Sequence, residues 1–388
     1  MPFNASSALR HSFARRSGLV EYLAVAYTLL VAYASLYPFH PWRPLASSPL
    51  AFLFDAWPRY YTQADVALNV LGYLPLGLLV TLAAMAWMTP RWAALIAVIA
   101  GTSVSLGMET LQSFLPPRVP SNLDLLSNGL GALAGAIVAV AAGERWFLSG
   151  QLYRWRHRMF LPGAAVDAGF VVLVLWLFTQ LYPAVWLFGN GDLRFLFEDL
   201  LNLTYSPGSY RWIEAGVTTL NLAGIAVLTS VLARARQSVA APLLLLVTVA
   251  LLLKSATAVI LFKPGDAALW LTPGSLLGIP AGVALYLGLM WLARPILPVV
   301  AAVLVLAGAV LVNIAPRNPY ILASIQIWSH GHFLSFNGTT RLVSTVWPFL
   351  AAATWYGGAG TGLLTGRVRY EAATRRKDRD SPPQEPSP

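Results

Sequence analysis

Cysteine is absent from the 388 residues, which excludes disulfides, thiolate metal sites and a cysteine nucleophile. Charge is scarce as well: only 11% of residues are Asp, Glu, Lys or Arg, against about 25% in soluble globular domains. The chain also lacks a Gly-rich phosphate loop, a nucleophile elbow and a His-Glu-x-x-His helix. No Lys/Arg run with interleaved aromatics is present, so nucleic acid is not an expected partner. No cofactor is expected either.

What fills the chain is apolar. Hydrophobic residues make up 57% of it and the mean hydropathy is +0.62, values suited to a polytopic α-helical membrane protein with lipid as its surroundings. Trp87, Trp92, Tyr182, Trp186, Trp212 and Trp291 flank apolar runs, as interfacial anchors do.

The first apolar run, Leu19 to Tyr37, follows a polar and basic segment that resembles a secretory signal. It exceeds the roughly 7 to 15 residues of a signal core and reads as an uncleaved first span. Nine more runs of crossing length lie near 66–88, 92–113, 123–143, 164–188, 213–233, 242–262, 276–293, 296–314 and 342–364. The expectation is an all-α protein with about ten transmembrane helices. With that topology, 17 of the 26 Lys and Arg fall on one side and 8 on the other, which places both termini in the cytoplasm.

The resulting organisation is a basic cytoplasmic tail at 1–18, a four-helix membrane domain at 19–143, a cytoplasmic basic linker at 144–162, a six-helix membrane region at 163–366 and a disordered cytoplasmic tail at 367–388. Membrane lipids are the expected surroundings. The oligomeric state is left open.

Polar groups that bilayers exclude gather in two places. The main one spans Glu109 to Gly135, "ETLQSFLPPRVPSNLDLLSNGLGALAG". Glu109 and Gln112 end the third span, Asp124 and Asn128 open the fourth, and Arg118 sits between them. Asp65 and Asn69 open the second span at the same level. Positions three or four apart share a helix face, so these seven residues are expected to converge at the outer face as a ligand-binding set. Charged groups kept at membrane depth usually face a cavity or a partner. The competing reading is structural, because Asp65 and Asp124 stand where helix caps favour negative charge. Oxygen ligands of this kind also suit Mg²⁺ or Ca²⁺, though no metal motif accompanies them. "GALAG" is a small-xxx-small pattern that lets another helix approach closely.

"DVALNVLGYLPLG", with Asp65, Asn69, Pro75 and Gly77, together with the Glu109 to Gly135 segment, resembles the VanZ-like family of bacterial membrane proteins. The similarity covers about residues 20 to 143. That family takes its name from a member associated with resistance to the glycopeptide teicoplanin. The resemblance implies a role at the cell envelope of the bacterial cytoplasmic membrane, with no reaction attached. Its implied ligand is a cell-wall or lipid-linked glycan precursor, or a glycopeptide.

The second place is Lys254, inside a span, with Glu214 and Glu109 as candidate partners. A transporter or lipid flippase with Lys254 and Glu109 on its path is the alternative function. An integral-membrane transferase or hydrolase using Glu109 and Asp124 as acid and base is the second alternative. His330 and His332, in "SHGHFLSFNGTTR", form a His-x-His pair that a metal could use only with further ligands.

Overall fold

The computed structural model describes residues 18–45, 48–59, 61–142, 151–182, 186–194, 206–261, 264–316 and 334–356. Eleven α-helices occur among them and no named strand; the only β feature is an isolated bridge between Phe160 and Ala233. They are α1 (Leu19–Leu36), α2 (Gln63–Ala84), α3 (Pro90–Gln112), α4 (Asn122–Ala142), α5 (Gln151–Met159), α6 (Ala164–Thr179), α7 (Pro207–Leu232), α8 (Ala240–Leu261), α9 (Pro273–Leu289), α10 (Leu297–Ile314) and α11 (Leu334–Tyr356). Prolines open α3, α7 and α9, where a missing N–H costs nothing.

Each of the ten apolar runs holds a helix, and not all of these meet strict criteria of length and apolarity for a crossing among the described residues. Seven helices, α1 to α4, α7, α8 and α10, are long and apolar enough to cross a membrane. α6 and α9 are apolar and shorter.

Hydrophobicity does not choose which face packs inward, because lipid is as apolar as leucine. Size does. The buried side of α3 is Ala93, Ala97, Gly101, Ser105 and Glu109, one residue per turn. In α4, Gly131, Ala132, Gly135, Ala136 and Ala139 are buried while Leu126, Leu130, Leu133 and Ile137 are exposed. A methyl group added at Gly135 would stand 2.0 Å from the Leu74 carbonyl oxygen, and one at Gly131 2.4 Å from that of Val70. The backbones of α2 and α4 therefore touch directly. Across the chain, large aliphatics such as Leu71, Ile99, Leu252, Leu287 and Val303 point outward, a surface suited to lipid.

Helices α1 to α4 pack into one unit, and α6 to α11 build a second around α7, which is buried without interruption from Asn221 to Leu232. Trp176, Phe188, Ile225, Leu228 and Trp347 fill its core. α1 also packs against α6 and α11, joining the units. The segment expected to be a plain linker contains α5, whose Arg156 makes an ion pair with buried Asp167 at the start of α6 and stacks over Phe170.

One span departs from expectation. α6 stops at Thr179, after a rise of only about 24 Å at 1.5 Å per residue, and residues 186 to 191 form irregular but buried backbone. Buried non-helical backbone must find its hydrogen-bond partners within the protein, and it does. Gly191 N–H donates to the Ser344 carbonyl at 2.8 Å. Asn313 donates to the Gly191 carbonyl at 2.6 Å and accepts from Leu193 N–H at 2.7 Å. Gly191 adopts φ +87, with Ala309 and Pro348 against it. Trp186, read as an interfacial anchor, is instead buried edge-on against Tyr210.

Candidate functional site

The ends of α1 and α3 and the beginnings of α2 and α4 meet at one end of the first unit. All seven residues expected there lie in this region, yet they do different things.

Asp65 closes a capping box on α2. Its carboxylate accepts from Thr62 N–H at 2.8 Å while Thr62 Oγ1 accepts from Asp65 N–H at 3.1 Å. Gln112 and Arg118 hold the end of α1. Gln112 donates to the Ser35 carbonyl at 2.9 Å, and Arg118 donates to the carbonyls of Ala34 at 3.1 Å and Tyr37 at 2.6 and 2.9 Å. A cation at a helix C-terminus complements its unsatisfied carbonyls. Burial pulls the Arg118 guanidinium below its ordinary value, and Glu109 works against that shift. For Asp65, Gln112 and Arg118 the structural reading therefore has direct support.

Of the remaining four, Asn69, Asp124 and Glu109 are linked through Ser121, and Asn128 makes a separate contact one turn deeper. Asn69 donates to Asp124 Oδ1 at 2.9 Å, tying α2 to α4. Ser121 caps α4, accepting from Leu123 N–H at 3.1 Å and Asp124 N–H at 3.4 Å. The Ser121 N–H in turn donates to Glu109 Oε2 at 2.9 Å. One turn deeper, Asn128 donates to Ser105 Oγ at 2.9 Å, joining α4 to α3. Glu109 is 4% exposed and makes no ion pair among the described residues. Its carboxyl lies at the start of α4, where backbone N–H groups point toward an acceptor. Such an arrangement can recognise hydroxyl, amide or ammonium groups presented at this end of the bundle.

Ser121 and Ser105 were not among the expected residues. "SNLD" carries the Ser-x-x-Asp signature of a helix start, and Ser105 lies one turn before Glu109 on the same face. Either could have been found that way. No group of three or more His, Asp or Glu able to hold a metal occurs among the described residues. His330 and His332 lie outside them.

Lys254 has a partner in neither Glu214 nor Glu109. Its ammonium donates to the Tyr182 carbonyl at 2.9 Å, just beyond the early end of α6. A lysine at this depth thus serves the backbone that the short helix leaves open. Glu214 instead lies against Gly274 and Thr272 at the start of α9.

Residues 8–143 match the family model described as VanZ/LLP1, which is less than half of the chain and coincides with the first unit. No curated protein and no solved structure matches the chain.

Proposed function

We propose that this multi-pass membrane protein uses its first unit to recognise a polar envelope ligand at the outer face of the bacterial cytoplasmic membrane. The ligand class is a cell-wall or lipid-linked glycan precursor, or a glycopeptide, with a link to antibiotic resistance. Glu109 carries this reading: a buried carboxylate with one backbone hydrogen bond and no ion pair among the described residues, set beside the Asn69–Asp124 bridge. Asp167 is matched to Arg156 and Asp192 to Arg194, and buried Glu214, which has no ion pair among the described residues, has Thr272 as its side-chain partner. What sets Glu109 apart is that an acid without an ion pair stands among further polar groups, the setting in which an ionisable residue within a span is a candidate binding group. The side assignment rests on the excess of basic residues at the opposite end.

The test replaces Glu109 and Asp124 by Ala and compares glycopeptide susceptibility and envelope-precursor binding at matched membrane expression. Binding falls at least tenfold, about 1.4 kcal/mol. Unchanged susceptibility together with unchanged binding would overturn the proposal. Transport by way of Lys254 gains no comparable observation, since the ammonium is engaged by the Tyr182 carbonyl.

A further inference from the structure

At the end of the second unit that the basic residues assign to the cytoplasm, arginines join three turns. Leu161 N–H donates to the Leu232 carbonyl at 3.0 Å and Arg234 N–H to that of Met159 at 2.9 Å, which ties the turn between α5 and α6 to the end of α7. The Arg234 side chain adds a bond to the Phe160 carbonyl at 2.9 Å. Arg294 donates to the Arg234 carbonyl at 3.3 Å, and Arg236 donates to the carbonyls of Met290 and, at 2.6 Å, Leu292. One hydrogen-bonded surface thus runs from α5, across the turn between α7 and α8, to the turn between α9 and α10.

A carbonyl holds a guanidinium in place without compensating its charge. Residues 151–167, 231–243 and 287–300 contain six arginines and one acid, and that acid, Asp167, is taken by Arg156. Arg154, Arg158 and Arg236 are exposed, and none of them makes an ion pair among the described residues. Arg154 and Arg158 stand one turn apart on α5 and share a face, whereas Trp155 and Met159 pack against the core. Beside the arginines the surface turns apolar: Trp291 is 91% exposed and Ile296 48%.

Like charges gathered this way repel one another, so an anion from outside the chain stabilises the arrangement. Guanidinium forks match phosphate oxygens in pairs. A free phosphate has no use for the adjoining Trp291 and Ile296, whereas a phospholipid sets its headgroup on the arginines and its chains along the apolar residues. Basic pockets between helices on this side of a membrane suit such headgroups in general. We infer that Arg154, Arg158, Arg236 and Arg294 form a headgroup site for an anionic phospholipid of the inner leaflet, with Trp291 and Ile296 against its acyl chains. Bound lipid bridges the three turns and stabilises the second unit. The site is independent of the envelope-ligand reading, whose residues lie in the first unit.

The experiment is thermal unfolding of the full-length protein in detergent supplemented with phosphatidylglycerol or with phosphatidylcholine of the same chains, and with inorganic phosphate as a third arm. Phosphatidylglycerol raises the melting temperature above the phosphatidylcholine value by about 3 to 6 °C at roughly a hundredfold excess over its dissociation constant. The double variant Arg154→Gln with Arg158→Gln, which removes none of the hydrogen bonds between the turns, keeps the phosphatidylcholine value and loses most of the rise. Arg91→Gln, at the exposed start of α3 in the first unit, keeps the whole rise. Equal melting in the two lipids overturns the inference. A loss in Arg91→Gln equal to that of the double variant also overturns it, because the attraction is then diffuse surface charge. A rise matched by inorganic phosphate does the same, because the ligand is then a free anion. None of these outcomes bears on the glycopeptide test, so the two proposals fail separately.

Discussion

The two units solve the same packing problem and keep different company around their buried glutamates. In the first, α2 and α4 run parallel and touch through Gly131 and Gly135; in the second, α7 and α9 run parallel and touch through Gly274, Gly278 and Gly282, with methyls at the last two meeting the Ala215 and Thr219 carbonyls. Each places a glutamate beside the first turn of its second helix, Glu109 at α4 and Glu214 at α9. Around Glu109 stand Tyr73, Asp124 and Arg118, with the Ser105–Asn128 contact one turn deeper. Glu214 is covered by Gly274 and Thr272. A buried acid in a membrane protein is therefore a weak sign by itself, and the polar groups that share its space are the better one.

The largest expected effect tests whether the second unit's acids are structural. Arg156→Ala removes the ion pair to Asp167, whose side chain is 1% exposed, at a cost of about 3 kcal/mol. Thermal unfolding checks this, and adding Asp167→Asn should recover most of the loss. If the single variant melts like the parent, the contrast between matched and unmatched acids collapses.

Gly135→Ala comes next. Its new methyl meets backbone at 2.0 Å, whereas that of Gly282→Ala meets Leu222 and the Thr219 carbonyl at 3.1 Å. The first should cost about 3 kcal/mol and the second under about 1 kcal/mol, read as melting temperatures in one detergent. Equal losses would mean the two helix pairs are not packed to different tightness. The functional contrast is smaller in energy: Glu109→Ala should lower envelope-ligand binding about tenfold, while Glu214→Ala leaves it unchanged. A matching loss in both would remove the reason for preferring the first unit.

The smallest effect lies in the second unit's loop. Burial raises the Asp192 carboxyl, but hydrogen bonds and charge from Arg194 outweigh it and hold the group below its ordinary 3.8. A depressed acid stabilises the fold fully above its unfolded value and loses that contribution as pH falls through the folded value. Asp192 is 36% exposed at the side chain, so solvent screening keeps the contribution under about 1 kcal/mol. Asp192→Asn should flatten the acid side of the stability curve below about pH 4 and leave neutral pH nearly unchanged.

Much of this protein was legible in its residue order. Apolar runs bounded by Pro, Gly and charge marked every long helix, because a backbone in lipid has no alternative to satisfying itself internally. The spacing of Asn69, Glu109, Asp124 and Asn128 placed them at one end of one bundle, since helix geometry alone brings such positions to a common face. "GALAG" announced the close contact that Gly131 and Gly135 make. What only the tertiary structure decided is who holds whom. Arg118 reaches the carbonyls of α1, Lys254 that of Tyr182, and Asn313 the irregular backbone around Gly191. Those partners lie on other segments, 81, 72 and 122 residues away. In a chain whose faces are nearly all apolar, hydrophobic pattern cannot rank one neighbour above another; small residues and crossing hydrogen bonds do, and these act only once the helices are side by side.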